Sequence, residues 1–284
     1  MWPFVLALYF VAVPCQCFDH LSRFFSSAFM LQSVFMKALV IANWKMTPAT
    51  YREAKALFDA TKKAAESAKK VQVIVAPPAI YLRDLAKGYR GKISFCLQNG
   101  FQDTHEPHTG EISFAQALDS KAEYVLVGHA ERRAAGETNA HVRAKMAGAL
   151  KAGLTPVLCI GEVTRSALGE HFVFVKEQLR AGLADVTPPA LKRIIIAYEP
   201  VWAIGAPAPM TPRDMHEMAI FIRKSVVELF GEAGMEIKML YGGSVDETTA
   251  GAMLRDGDVK GLLIGRASTE AHHVTNLLQA VEMA

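Results

Sequence analysis

A carboxylate, an imidazole and an ammonium group each stand just after an apolar, largely β-branched run in this chain. Glu199 follows Ile194-Ile195-Ile196-Ala197-Tyr198, His129 follows Tyr124-Val125-Leu126-Val127-Gly128, and Lys45 follows Ala38-Leu39-Val40-Ile41-Ala42-Asn43-Trp44. A carboxylate can take a proton from carbon, an imidazole can polarise a carbonyl, and an ammonium can offset charge that develops on oxygen. The set suits proton abstraction next to a carbonyl. A lone Lys or His at a strand end is usually only solvated, so the weight lies on the combination. Glu199 has the tightest setting, because Pro200 disfavours the α region for the residue before it and keeps the acid extended. A second chemistry is spread over Gly205, Gly242-Gly243-Ser244 and Gly265-Arg266. These offer backbone N–H groups without bulky side chains, ahead of helix starts, and together suit a phosphate. Each alone reads equally well as a plain turn.

The elements that must position these groups alternate. Strand patterns cover residues 38–42, 71–76, 93–97, 124–127, 156–160, 194–197, 238–240 and 261–264. Helical patterns fit between them, for instance over 138–152 and 215–229. The first helix is expected to start at Thr47-Pro48, with Thr47 as N-cap and Pro48 in the first helical position. Eight βα units point to a closed parallel barrel. A doubly wound open sheet remains compatible, since periodicity does not report closure. In a barrel, working residues lie at the carboxyl ends of strands. Those ends here read Asn43-Trp44-Lys45, Gln98-Asn99, Gly128-His129-Ala130-Glu131-Arg132, Gly161-Glu162, Glu199, Gly242-Gly243-Ser244 and Gly265-Arg266.

With 284 residues and 51% hydrophobic content, the chain has ample material for a core. Its net charge of +3 and the absence of a long basic run leave no electrostatic footprint for nucleic acid. Cys15, Cys17, Cys96 and Cys159 show neither a disulfide framework nor a zinc spacing, so a reducing compartment is expected. Cys159 reads as a buried thiol between apolar neighbours. Residues 1–35 differ from the rest: they are rich in Phe and apolar from Trp2, with no Lys or Arg ahead of that run and only Arg23 within them. The run is short for a membrane span and lacks the charge of a signal or transit peptide. They are read as an N-terminal extension outside the fold, with Met36 as the expected true start and a targeting segment or anchor as the alternative. Residues 36–284 show no linker and read as one domain. Lys145, Lys151 and Arg143 are expected on a solvated helix face, Arg223 in a structural ion pair, and His272-His273 on a solvated helix face.

The motifs carry a resemblance. Asn43-Trp44-Lys45, Gly128-His129-Ala130-Glu131-Arg132-Arg133, the run Ala197-Tyr198-Glu199-Pro200-Val201-Trp202-Ala203-Ile204-Gly205 and Tyr241-Gly242-Gly243-Ser244-Val245 resemble the signatures of the triosephosphate isomerase family. Thr109-Gly110-Glu111-Ile112-Ser113 resembles that family's intersubunit loop. The match runs in order from about residue 38 to 270. It implies the closed parallel (β/α)8 TIM barrel, supplying the closure that periodicity leaves open. It implies interconversion of dihydroxyacetone phosphate and glyceraldehyde 3-phosphate in the cytoplasm, with no cofactor or metal. By the same resemblance Glu199 is the base, His129 the electrophile as a neutral imidazole, and Lys45 the cation, with Asn43 helping to place the substrate. Gly205, Ser244, Gly265 and Arg266 hold the phosphate, mostly through backbone N–H groups, and Glu131 and Trp202 support the site. The loop at 101–113 implies a homodimer; no nucleic-acid or membrane partner is implied. His105 and His108 are not expected to bind metal, for want of a clear third ligand.

Departures from the family pattern are specific. Ala130 stands where the family has serine, removing a hydroxyl that can hold the glutamate. The lid, residues 200–211, reads Gly205-Ala206-Pro207-Ala208-Pro209-Met210-Thr211-Pro212 where the family has Gly-Thr-Gly-Lys-Thr-Ala-Thr-Pro. Pro207 and Pro209 fix φ and remove N–H donors. Normal chemistry with altered lid kinetics is expected, and a lid opening rate equal to that of a Gly-Lys-Thr lid would count against it. The segment 162–171 is shorter than usual. Two other functions fit the residues less well: the same chemistry on a longer sugar phosphate, and a barrel that binds phosphate ligands without turnover.

Overall fold

The computed structural model describes residues 37–102, 106–166, 168–205 and 209–284. The expectations for residues 1–35, His105 and Pro207 lie outside the described residues. The strands are β1 (Ala38–Asn43), β2 (Val71–Ala76), β3 (Ser94–Leu97), β4 (Ala122–Val127), β5 (Thr155–Ile160), β6 (Ile195–Tyr198), β7 (Lys238–Tyr241) and β8 (Gly261–Ile264). All eight are parallel, pair in chain order, and close when β8 returns to β1, with Leu39 opposite Gly261 and Ala42 opposite Ile264. The open-sheet alternative is thereby excluded.

Both faces of these strands are buried, which is why they read as continuous apolar runs and not as alternating ones. Successive side chains still point to opposite faces. In β1, Leu39 and Ile41 join the cluster that fills the barrel with Ile74, Cys96, Leu126, Val157, Cys159, Ala197, Leu240 and Leu263. Val40 and Ala42 point outward into the larger cluster beneath the helices. Each fully buried Leu or Ile contributes about 1.5–3 kcal/mol relative to exposure, so the filled interior is a rigid plug under the carboxyl-end rim.

The helices between strands form the outer layer. They are α1 (Tyr51–Ser67), α2 (Ala79–Ala86), α3 (Phe114–Asp119), α4 (Ala130–Ala134), α5 (Asn139–Ala152), α6 (Glu170–Gly182), α7 (Pro188–Leu191), α8 (Pro212–Phe230), α9 (Ala250–Asp256) and α10 (Ala271–Met283). The predicted start of α1 is corrected. Its N-cap is Thr50, whose hydroxyl accepts the Glu53 N–H at 3.3 Å while the Glu53 carboxylate accepts the Thr50 N–H at 3.1 Å. Two reciprocal bonds satisfy end donors better than a single cap does. Thr47 instead donates its hydroxyl to Trp44 O at 2.6 Å and closes the turn after β1. Where a Thr-Pro pair does open a helix is α8: Thr211 caps Asp214 N–H at 3.1 Å and Pro212 takes the first position.

Lys145 is also corrected. Its side chain is 7% exposed, and its ammonium donates to Asn99 Oδ1 at 2.7 Å and pairs closely with Glu137. The helix pattern placed it outward, but α5 packs against β4 and β5 and turns Lys145 toward Asn99 in the loop after β3, and a buried ammonium persists only when paired. Lys151 is exposed. Arg143 pairs with Asp185 at the surface, and Arg223 makes the expected ion pair, to Asp258 at 2.9 Å. Among the described residues no helix is long and apolar enough to cross a membrane.

Candidate active site

A cavity of about 730 Å³ opens at the carboxyl ends of the strands, lined by Asn43, Lys45, His129, Glu199, Gly205, Ser244, Gly265 and Arg266 among others. Every residue expected to touch substrate therefore meets on one rim. The two kinds of chemistry read from the chain, proton transfer and phosphate binding, share one space.

Glu199 is 2% exposed. Its position follows from main-chain ties on both sides: its N–H donates to Ile160 O at 2.7 Å, and Gly242 N–H donates to Tyr198 O at 2.8 Å. Two glycines allow this approach. A Cβ on Gly161 would lie 1.8 Å from Glu199 O, and a Cβ on Gly242 would lie 2.8 Å from Glu199 Cγ. Both contacts are closer than carbon tolerates, so these glycines form walls for the acid. The carboxylate has two partners. Oε2 accepts the Ala130 N–H at 3.0 Å, and Oε1 lies 3.2 Å from His129 Nε2. The missing serine hydroxyl thus leaves the glutamate held by the main chain of α4. Burial raises the Glu199 pKa above the usual carboxylate range, against the opposing pull of His129, the Ala130 N–H and Lys45.

His129 is the residue before α4. Its Nδ1 accepts the Glu131 N–H at 3.2 Å, which leaves Nε2 to carry the proton of a neutral ring. Nε2 faces Glu199, with Asn43 Nδ2 at 3.3 Å. Lys45 holds a left-handed backbone, φ 53°. Such a conformation in a non-glycine residue costs about 1 kcal/mol or more. It is secured by Asn43 Oδ1, which accepts the Lys45 N–H at 3.1 Å, and by Gln98, which donates to Lys45 O at 2.8 Å. The Lys45 ammonium lies 2.6 Å from Glu131 Oε1. Glu131 thus contributes to the site twice, through its N–H and its carboxylate.

At the opposite wall, Gly205 N–H donates to Ser244 Oγ at 2.9 Å, joining the lid entrance to the loop after β7. Gly265 approaches the Lys45 side chain and precedes the short turn Arg266–Ser268. The loop after β6, expected to act as a lid, begins with the turn Val201–Ala203. Trp202 Nε1 donates to Glu162 Oε1 at 2.8 Å, and the Tyr198 hydroxyl donates to the same carboxylate at 2.8 Å. Glu162 is 1% exposed. It anchors the lid entrance to the end of β5, and burial together with this carboxylate pushes the Tyr198 hydroxyl pKa far up.

Glu162, Gln98, Gly161 and the Ala130 N–H were not assigned to the site from the chain. Glu162 and Gln98 carried a faint signal, as polar residues at strand ends; a main-chain donor carries none. Cys159 is fully buried in the barrel, and burial, followed by the nearby Glu199 charge, raises its thiol pKa. Among the described residues, the group with metal-ligand spacing is Glu270, His272 and His273, whose ligand atoms lie within 4.8 Å of one another. It sits at the start of α10, with Glu270 as the residue before the helix and His273 at the cavity edge.

A closed parallel barrel with a buried acid, an imidazole and an ammonium converging beside glycine-rich turns defines an enzyme of proton transfer on a small anionic substrate. The family model described as triosephosphate isomerase matches residues 38–281. A triosephosphate isomerase of Endomicrobium trichonymphae is 37% identical over 246 residues, spanning 86% of this chain and 98% of that protein. Those of Marinobacter nauticus and Gluconacetobacter diazotrophicus are 37% and 36% identical, each over 86% of this chain and over 97% and 98% of their own lengths. The chain belongs to the triosephosphate isomerase family. It is an isomerase on a TIM barrel.

Proposed function

We propose that Glu199, His129 and Lys45 carry out the interconversion of dihydroxyacetone phosphate and D-glyceraldehyde 3-phosphate, the family's reaction in glycolysis and gluconeogenesis. Glu199 takes a proton from the carbon next to the carbonyl and returns it to the neighbouring carbon. Between the two transfers the substrate is an enediol or enediolate. His129 donates from Nε2 to the carbonyl oxygen and accepts the proton that the adjacent hydroxyl gives up, so the sum of the steps is an isomerisation. Lys45 offsets the charge that develops on oxygen, and Asn43 places the substrate beside it. Gly205, Ser244, Gly265 and Arg266 hold the phosphate. Glu131 positions Lys45 and His129, and Trp202 fixes the lid entrance. The route calls on no metal or cofactor.

The observation that supports this most directly is the burial of the Glu199 carboxylate beside His129, in the cavity that also receives Lys45. Burial makes the ionised carboxylate a stronger base. A lid that covers the site also protects an enediolate phosphate from losing its phosphate to water. The test is a coupled isomerase assay on the parent and on Glu199→Gln. The variant is expected to lose about 10³-fold in kcat, within the usual contribution of a positioned base. A variant that keeps more than a tenth of parental kcat, or a parent that prefers a tetrose phosphate, overturns the assignment.

The enzyme acts as a homodimer through the 101–113 loop and works in the cytoplasm. The loop's base is drawn together by the Phe101 N–H to Ile112 O bond at 2.8 Å. Sedimentation of a single monomeric species would contradict the dimer, and recovery of the enzyme only in a membrane or secreted fraction would contradict the location.

A further inference from the structure

We infer that the Arg266 guanidinium is a direct side-chain anchor for the substrate's phosphate dianion, adding a charged fork to the cradle of backbone N–H groups. The inference rests on the reading of the site given above and deepens it. Arg266 is exposed, opens the turn after β8 and lines the cavity. Its Nη2 lies 4.0 Å from the position a Cβ would take on Gly205, so the side chain reaches from the β8 rim across to the lid entrance.

Among the described residues no carboxylate pairs with it, although Asp246 and Glu247 line the same cavity. The Glu270 carboxylate faces His272 at 3.7 Å and the Glu247 carboxylate faces His273 at 3.6 Å. No salt bridge to Arg266 occurs among the described residues. The other cation of the cavity, Lys45, is paired with Glu131 at 2.6 Å, and that carboxylate offsets part of its charge. A phosphate dianion entering the site therefore meets its largest uncompensated positive charge at Arg266.

On its lid side the cradle has few main-chain donors. Gly205 N–H is engaged with Ser244 Oγ, and positions 207 and 209 of the lid are prolines, which have no N–H. A guanidinium presents five N–H donors in a planar fork that matches phosphate oxygens, and charge-assisted bonds of this kind are the stronger ones. Exposure reduces the gain through solvent screening and makes it depend on salt.

Arg266→Gly keeps the backbone N–H and removes both the fork and its charge; Arg266→Lys keeps the charge without the fork. In the parent and both variants, kcat and KM for glyceraldehyde 3-phosphate, and the affinity for inorganic phosphate by calorimetry, are measured at low and high salt, with melting temperatures as a check on folding. Arg266→Gly is expected to raise KM and weaken phosphate binding by about tenfold, with kcat falling far less. Arg266→Lys recovers part of the loss, and the salt dependence is shallower in Arg266→Gly than in the parent. KM and phosphate affinity within twofold of the parent overturn the inference. So does a fall in kcat at unchanged KM, which marks a structural role. An inactive parent would instead defeat the underlying assignment, while the calorimetry still decides whether Arg266 binds phosphate.

Discussion

Gly242 separates two accounts of the loop after β7. As one member of a glycine-rich turn it reads as part of the phosphate cradle, and its replacement by alanine would then raise KM. The structure gives it a different neighbour. The added Cβ would lie 2.8 Å from Glu199 Cγ, 3.4 Å from Tyr198 O and 3.5 Å from Glu199 Oε1. The two oxygen contacts are ordinary, so the strain falls on the glutamate side chain, which must withdraw by about 0.6 Å to reach normal contact. Misplacing a reacting group by 1 Å costs up to about 10²-fold in rate. Scaled to this displacement, Gly242→Ala should lower kcat by about 15-fold. KM should change little, because the wall touches the base and not the phosphate. The Glu199 side chain can shift, so stability should fall by only about 1 kcal/mol, the lower end for overpacking. Steady-state kinetics with a coupled assay, together with urea unfolding, measure all three quantities. A raised KM with parental kcat, or a fully active and fully stable variant, would refute the role assigned to this glycine.

Two further expectations follow from burial. The Glu199 pKa is raised in the fold from the ordinary 4.5, so the folded state retains a proton that the unfolded chain has lost. This group's contribution to stability is present below pH 4.5 and is lost as pH rises from there through the raised value. The stability of Glu199→Gln relative to the parent should therefore climb with pH across that window and then level off; a flat difference in urea unfolding series would contradict the burial of the charge. Separately, Glu137→Ala should destabilise the fold by about 3–5 kcal/mol, because it leaves the Lys145 ammonium buried with only Asn99 as partner. A loss under about 1 kcal/mol in the same unfolding assay would mean that water reaches the pair.

Most strand positions were legible because a strand buried on both faces must be apolar along its length, and 71–76 and 261–264 match to the residue. The ends of the other six strands moved by one or two residues, since pairing with a neighbour sets a strand's end and its own composition does not. Thr50 could have been read as the cap of α1 from the Thr-x-x-Glu spacing to Glu53. Lys145 could not have been read as buried, because an outward helical pattern says nothing of what packs above it.

Taken alone, the chain singled out the groups proposed for the chemistry. An acid before proline, a histidine after a glycine at a strand end and an Asn-x-Lys at another are local patterns, and local patterns are written in order along the backbone. Tertiary structure decided what surrounds them. Gly161 and Gly242 matter through the approach of Glu199 from neighbouring strands, Glu162 through two donors that arrive from the end of β6 and the lid, and Ala130 through a main-chain N–H that any residue but proline would supply. These are contacts between segments far apart in the chain. They exist only because eight strands close in one register and bring their carboxyl ends to a common rim.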